Sequence, residues 1–209
     1  MAISYPLTFP TQTGIASVNL HAINSVAISQ SPFTYKQQVV AHTGQRWEAE
    51  VSLPPMKRDD AEVWIAFLLS LKGMRGTFLM GDPNCATARG SASTAAGTPV
   101  VNGADQTGDN LTIDGLPVSA TGYLLAGDYI QIGSGSTARL YKVLQDVNTN
   151  ASGQATLNLW PDLRSSPNDN SSVAVSNAKG VFRLSQNDVS WIIDKMGLYS
   201  ITFAASEAL

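Results

Sequence analysis

Hydrophobic and polar residues alternate over residues 46–53, which is the two-residue period of a half-buried β-strand. The apolar face of this strand carries Trp47, Ala49, Val51 and Leu53. The polar face carries Glu48, Glu50 and Ser52. Proline has no backbone N–H to donate to a neighbouring strand, so Pro54 and Pro55 are expected to end it. A shorter strand over 35–39 is expected to pair with it through a loop at 41–45.

Beyond the prolines, apolar residues recur at three- and four-residue steps and predict one α-helix between Asp59 and Gly73. The apolar stripe of this helix consists of Ala61, Trp64, Ile65, Leu68 and Leu71. Asp59 is expected to cap the helix, with Glu62 three residues later as the second member of a capping box. Asp59 and Asp60 also form an acidic pair that a catalytic site could use. Helix capping accounts for these residues without a catalytic role.

The second half of the chain contains short β-rich runs separated by turn residues. The runs are NLTID (110–114), YIQI (129–132), RLYKVLQDV (139–147) and ATLNLW (155–160). Glycine, asparagine, serine and proline dominate the segments between them, as expected for tight turns. This spacing is typical of a small antiparallel barrel or sandwich.

A stretch rich in Ala, Gly, Ser and Thr separates the two halves. From Asn84 to Asn110 it contains no aromatic residue, no leucine and no isoleucine. Large apolar residues like those of the first half occur again near the C-terminus, in LYSITFAA (198–205). Insertions are tolerated at exposed turns of this composition. The sequence therefore predicts that a domain inserted into the first one occupies the middle of the chain.

The predicted boundaries assign residues 1–85 to the first part of a host domain, 86–177 to the insertion and 178–209 to the host domain's C-terminal strands. Because the ends of an insertion must be close together, the strand at 77–81 is expected to lie beside residues 181–185. The predicted fold class is mainly β with one α-helix. It comprises a β-sandwich domain that carries an inserted small antiparallel β-barrel or sandwich domain.

Composition narrows the possible functions. Charged residues make up only 14% of the chain, below the usual quarter, which favours surfaces that meet other proteins. A net charge of −3 argues against nucleic-acid binding, which depends on clustered lysine and arginine. Cys85 is the sole cysteine, and His21 and His42 are the two histidines. These are too few ligands to build a typical Cys/His metal site. No catalytic or cofactor motif is found, so we expect neither enzymatic activity nor a cofactor.

The chain has no basic N-terminal segment followed by a long apolar run, so no secretory signal is expected. Its longest apolar run, VWIAFLLSL (63–71), is much shorter than the ~20 residues that span a bilayer. We therefore expect synthesis in the cytoplasm and no membrane insertion.

Four segments in order carry a resemblance to a known family. They are GQRWEAEVSLPPMKRDDAEVWIAFLLSLKGMRGTFLMGDP, LLAGDYIQIGSGSTARLYKVLQDV, GQATLNLWPDLR and the C-terminal KGVFRLS with LYSITFAASEAL. Together they resemble the distal tail proteins of long, non-contractile-tailed bacteriophages and related minor tail proteins of prophages. The resemblance spans nearly the whole chain, and its motifs are structural rather than catalytic.

The resemblance implies a virion protein of the tail tip, made in the host cytoplasm. It implies a β-sandwich belt domain with one helix that closes into a homo-oligomeric ring, usually of six copies. The ring would join the tail tube protein to the hub or tip protein, with the tape-measure protein as a further partner, and would leave a channel for DNA. An acidic chain suits such a channel, because like charges keep the passing DNA from sticking. In this family an inserted β domain often projects outward and sometimes binds carbohydrate.

Two sets of residues are candidate binding surfaces. The strand WEAEVSL is predicted to be an edge strand covered by a neighbouring copy, with Glu48 and Glu50 on its polar face and Pro54 and Pro55 fixing where the neighbour begins. The alternative function is a carbohydrate-binding adhesin module for host attachment. Its stacking surface would consist of Tyr123, Tyr129, Tyr141 and Trp160, although aromatic residues within strands are more often core. A third reading, a cell-wall hydrolase, lacks any catalytic site.

Overall fold

Two β-sheets and one α-helix make up most of the regular structure in this computed structural model, which describes residues 3–10 and 14–209. In chain order the first strands are β1 (Leu7–Thr8), β2 (Ser17–Gln30), β3 (Gln37–Ser52), β4 (Phe78–Met80), β5 (Val100–Val101), β6 (Asn110–Asp114) and β7 (Tyr129–Ile132). The remaining strands are β8 (Arg139–Val143), β9 (Ala155–Trp160), β10 (Val173–Ala174), β11 (Gly180–Leu184), β12 (Trp191–Ile193) and β13 (Tyr199–Glu207). The helix α1 (Arg58–Ser70) lies between β3 and β4.

The larger sheet contains strands from both ends of the chain. Their order is β1-β4-β11-β13-β3-β2, and β12 pairs with one end of β13. Pairing is antiparallel except between β1 and β4. In the β4–β11 pair, Met80 faces Gly180 and Phe78 faces Phe182. This pairing confirms the prediction that residues 77–81 lie beside residues 181–185.

The smaller sheet is formed entirely by residues between 100 and 174, in the order β10-β7-β8-β9-β6-β5. Its first and last strands come together, because Val100 bridges to Ser172 and the Val173 N–H donates to the Pro99 carbonyl oxygen. The sheet is therefore antiparallel and nearly closed, like a barrel. The predicted fold class is confirmed: mainly β, with one α-helix in the described part of the chain and a small barrel-like sheet between two segments of a larger one.

The core of the larger sheet follows the predicted patterns. All four apolar residues of the alternating segment, Trp47 among them, are at most 3% exposed. Helix α1 packs its apolar stripe against the sheet, with Trp64 and Leu68 fully buried. Phe9 lies between helix and sheet, with its ring centroid 5.5 Å from that of Trp64 and 5.3 Å from that of Phe78. Periodicity thus correctly identified which faces are buried.

The strand that contains this segment is longer than predicted. Residues 41–45 continue β3 without a turn, so the predicted loop there is wrong. The partner strand is instead β2, which pairs with β3 along most of its length, from Ser17 opposite Ser52 to Gln30 opposite Gln37. The turn between them lies at residues 31–36. Gly44 resembled a turn residue, but it lies at an irregularity of a long hairpin, where the register shifts between Ile23 and Ser25.

The start of α1 also differs from the prediction. Its N-cap is Lys57, whose side chain makes no capping hydrogen bond, so the capping box of Asp59 and Glu62 is not formed. Asp59 lies within the first turn as a helical residue, where its backbone cannot adopt the extended conformation of a cap. Glu62 instead accepts a hydrogen bond from Arg58 one turn earlier, with Nε and Oε1 3.4 Å apart.

This geometry changes what we expect of Asp59. Without a capping hydrogen bond, only its charge near the positive helix N-terminus contributes, which amounts to about 0.5 kcal/mol for an exposed group. Asp59→Asn should therefore lower the free energy of unfolding by this small amount in urea unfolding at low salt. Asp59→Ala should lower it by no more, because the higher helix propensity of alanine offsets the lost charge. A capping residue would behave differently, because asparagine replaces aspartate well at an N-cap. A variant pair in which Asn retains stability and Ala loses ~1 kcal/mol would contradict the structure.

Candidate functional site

The aromatic residues proposed as a stacking surface are mostly buried. Tyr123 is 0% exposed inside the smaller sheet, and its hydroxyl donates to the Ala96 carbonyl oxygen at 2.7 Å. Burial raises the pKa of Tyr123 to about 12. Tyr141 is also buried, and its hydroxyl accepts a hydrogen bond from the Arg164 N–H. These two rings hold the smaller sheet together and offer no face to a sugar, so their predicted stacking role is wrong.

Tyr129 is likewise 5% exposed. The Lys142 ammonium donates to its hydroxyl at 3.0 Å and lies 4.3 Å from the ring centroid. Burial raises the pKa of Tyr129, and the neighbouring ammonium partly counteracts this rise. The Tyr129 ring packs against Trp47 of the larger sheet, with the centroids 5.9 Å apart. Tyr129 is therefore a contact between the two sheets, not a ligand-stacking residue as predicted.

Trp160 lies at the same junction. Its ring meets that of Trp47 edge to face, with the centroids 4.4 Å apart. Its indole Nε1–H donates to the Asn24 side-chain oxygen at 2.8 Å, and the Trp47 indole donates to the Leu140 carbonyl oxygen at 3.0 Å. Each indole N–H thus donates to an acceptor on the opposite sheet. Trp160 is half-buried by this packing, and its role in stacking a sugar stays a prediction.

A buried ion pair completes the contact between the sheets. Arg164, in the loop that leaves β9, donates from Nη2 to Glu207 Oε2 of β13 at 2.6 Å. Their side chains are only 11% and 1% exposed. The same carboxylate oxygen accepts the Trp47 backbone N–H at 3.2 Å. We call Trp47, Tyr129, Trp160, Arg164 and Glu207 the junction. It connects the smaller sheet to the larger one through packed rings, indole hydrogen bonds and one ion pair.

The strand predicted to form an oligomer edge is internal. Over residues 48–52, β3 pairs with β13 on one side and β2 on the other, so its backbone groups have partners within the chain. The edge-strand argument for Glu48 and Glu50 is therefore wrong. Glu48 forms an ion pair with Arg46, at 2.6 Å, and Glu50 is exposed. Pro54 is half-buried and Pro55 exposed just beyond the strand, and their role in an interface remains a prediction.

A feature that the sequence reasoning missed lies further along the same hairpin. Residues 25–42, which we call the arm, form a two-stranded ribbon that no third strand joins within the described residues. Its apolar side chains face solvent. The exposed fractions are 50% for Val26, 63% for Ile28, 92% for Phe33, 74% for Tyr35, 58% for Val39 and 44% for Val40.

Cross-strand pairing shows how these residues are arranged. Val26 faces Ala41 and Ile28 faces Val39, so these four side chains share one face of the ribbon. The arm contains Lys36 and His42 but no acidic residue. A two-stranded ribbon is only marginally stable alone in water, and exposed apolar patches mark interaction sites. The signal in the sequence was the pair of apolar runs VAI and VV on either side of a Ser-Pro turn.

Other candidate chemistry is limited. Burial and the neighbouring Asp82 carboxylate raise the pKa of the Cys85 thiol, so the reactive thiolate is scarce near neutral pH. In the part of the chain that the structure describes, no cluster of three or more His, Cys, Asp and Glu side chains could hold a metal ion.

Within residues 3–10 and 14–209, no helix has both the length and the apolar character needed to cross a lipid bilayer. In comparisons with known proteins, no family model and no curated protein matches the chain.

Proposed function

We propose that this protein is a structural subunit of a bacteriophage tail tip, in which copies of the chain assemble into a closed ring through their arms. The observation that carries the proposal is the arm itself, with one apolar face of Val26, Ile28, Val39 and Ala41 that no residue described by the structure covers. The resemblance of the sequence to distal tail proteins is the reason for placing this subunit at the distal end of a long tail.

A ring requires contacts between two different surfaces of each subunit, repeated around a rotation axis. An arm that projects from one side of the larger sheet is suited to such a contact, because it can reach a neighbour without distorting the core. Charged residues are depleted at interface centres, and Lys36 is the one lysine or arginine in the arm, which has no aspartate or glutamate. These properties favour a second copy as the surface that covers the arm.

In this function the ring joins the tail tube protein to the hub or tip protein and surrounds a channel for DNA, with the tape-measure protein nearby. The net charge of −3 fits a conduit that does not retain DNA. The adhesin alternative loses its support, because the tyrosines proposed to stack on sugars are buried.

Mass measurement of the purified chain, alone and mixed with its tail tube protein, tests the ring. Native mass spectrometry should detect a sixfold multiple of the 22.1 kDa chain in at least one of these conditions. A chain that remains monomeric at high concentration, and also in the presence of tube and hub proteins, would contradict the proposal.

The arm variant Ile28→Ser with Val39→Ser tests which surface forms the contact. Both side chains are more than half exposed in the single chain, so its thermal stability should change little. The oligomer should dissociate to monomers, because two apolar groups at the centre of the contact become polar. Val118→Ser removes a similarly exposed valine from a turn between β6 and β7, and this variant should assemble normally. An arm variant that assembles like the unmodified chain would show that the arm is not the interface.

A further inference from the structure

A cavity of about 510 Å³, lined by both polar and apolar groups, opens beside the junction and has no role in the proposed ring. Its polar lining consists of Thr43, Thr107, Arg139, Asp162, Arg164 and Ser165. These residues come from both sheets and from the loops that connect them. The volume lies in the range of small-molecule sites, about 300–1,000 Å³.

Arg139 is the main charged group that this cavity offers to a ligand. It lies at the start of β8, is half-buried and forms no ion pair with any described residue. Its hydrogen bond within the chain is a long one, 3.4 Å from Nη1 to the Ala138 carbonyl oxygen. A second cavity of about 220 Å³ shares Arg139 and Ser165 with the first, so the guanidinium borders both. Most of its five N–H donors are therefore available to an acceptor.

Arg164 adds a second guanidinium to the same wall. Its Nη2 is held by Glu207, which neutralises its charge, while its Nε is buried and makes no hydrogen bond. A buried donor without a partner is unusual in folded proteins and costs free energy. Arg164 therefore contributes an unpaired N–H donor but no net charge, while Arg139 supplies the uncompensated charge.

The remaining polar groups of the lining can bind hydroxyls, while Leu163 and Leu209 supply apolar surface. Thr43, Thr107 and Ser165 carry exposed side-chain hydroxyls, which both donate and accept hydrogen bonds. Asp162 is an acceptor that forms no salt bridge with either arginine. Its carboxylate would repel a bare anion but would accept hydrogen bonds from the hydroxyls of a larger ligand. The cavity thus presents one cationic end and several partners for hydroxyl groups.

We propose that this cavity binds a small hydroxylated anion, with its carboxylate or phosphate group held by Arg139 and its hydroxyls held by Asp162, Thr107 and Ser165. Arginine suits the anionic end, since its planar fork binds carboxylates and phosphates through two parallel hydrogen bonds. This site is separate from the arm, so its failure would leave the ring proposal unaffected.

Titration of the full chain, followed by amide NMR at constant ionic strength, tests the site. Three probes are compared: gluconate with a carboxylate, glycerol 3-phosphate with a phosphate, and glycerol with neither. Saturable shifts of the Thr107 and Ser165 amides are expected with at least one anion and not with glycerol. The better anion identifies which acidic group the site prefers. Absence of saturable shifts with both anions, or equal shifts with glycerol, would overturn the proposal.

Arg139→Gln removes the charge that the proposal requires. It should weaken binding of the preferred anion about tenfold or more, the usual effect of losing a hydrogen bond to a charged group. Arg75→Gln removes an exposed arginine elsewhere and should leave the affinity unchanged. Should Arg139→Gln lose its native spectrum, Arg139→Lys keeps the charge without the fork and should bind several-fold more weakly. Undiminished affinity in the folded variant would overturn the assignment of Arg139.

Discussion

Replacing Trp64 with alanine is expected to lower the free energy of unfolding by about 3–5 kcal/mol. The indole is 0% exposed. Its ring lies 5.5 Å from Phe9, 5.9 Å from Phe67 and 6.4 Å from Phe203, measured between centroids. Alanine would leave a cavity between helix α1 and the larger sheet that these rings cannot fill by small movements. Urea unfolding followed by circular dichroism measures the loss.

Leu69→Ala in the same helix is the matched control. Leu69 is 55% exposed, so its replacement should change the free energy of unfolding by about 0.5 kcal/mol or less. Any general effect of altering α1 would appear in both variants. Equal losses in the two variants, or a loss below ~1 kcal/mol for Trp64→Ala, would contradict the packing described here.

Trp64 also illustrates what the sequence could predict. The helix stripe and the alternation of residues 46–53 both arise because one face of an element is buried, and burial imposes a period on the residue types. The arm has no such period, since both of its faces are exposed over residues 25–42. It is a pair of strands because of hydrogen bonding between β2 and β3, and its apolar runs VAI and VV are too short to indicate a buried face. The sequence therefore predicted the core and missed the arm.

The junction was beyond prediction for a different reason. Trp47 and Trp160 are far apart in the chain, and neither residue's neighbours indicate that the two rings meet edge to face. Aromatic residues on strands are compatible with a core, an interface between sheets or a binding face. Only the placement of the smaller sheet against the larger one decides among these roles, and that placement depends on contacts between distant residues.

The low-complexity stretch after Pro83 was expected to be a plain connection. The structure instead packs part of it against the smaller sheet, with Ala88 and Ala92 buried. A side chain at Gly90 would place its Cβ 2.3 Å from the Tyr123 carbonyl oxygen, which requires glycine there. Small residues allow the two backbones to approach closely, and the Ala92 N–H donates to that same carbonyl oxygen. The small residues of this stretch therefore reflect close packing.

Arg164→Met is the second substitution with a large expected effect, about 3–5 kcal/mol lost from the free energy of unfolding. Methionine preserves most of the side-chain volume but removes the cation that lies 2.6 Å from Glu207. The carboxylate, 1% exposed, would keep the Trp47 N–H as its hydrogen-bond donor and no compensating charge. Burying an uncompensated charge is costly even where a salt bridge itself contributes little. Thermal and urea unfolding of the full chain measure the loss.

A double-mutant cycle with Glu207→Gln separates this charge effect from lost packing. Glutamine retains an acceptor for the Trp47 N–H but carries no charge. The single variant Glu207→Gln should lose less free energy of unfolding than Arg164→Met. The guanidinium that it leaves unpaired borders the cavity, whereas the carboxylate that Arg164→Met leaves unpaired is enclosed. The double variant should recover at least half of the stability that Arg164→Met loses. If the two single losses of unfolding free energy simply add, Arg164 and Glu207 do not act as a unit. The junction would then be held by its aromatic residues and not by the ion pair.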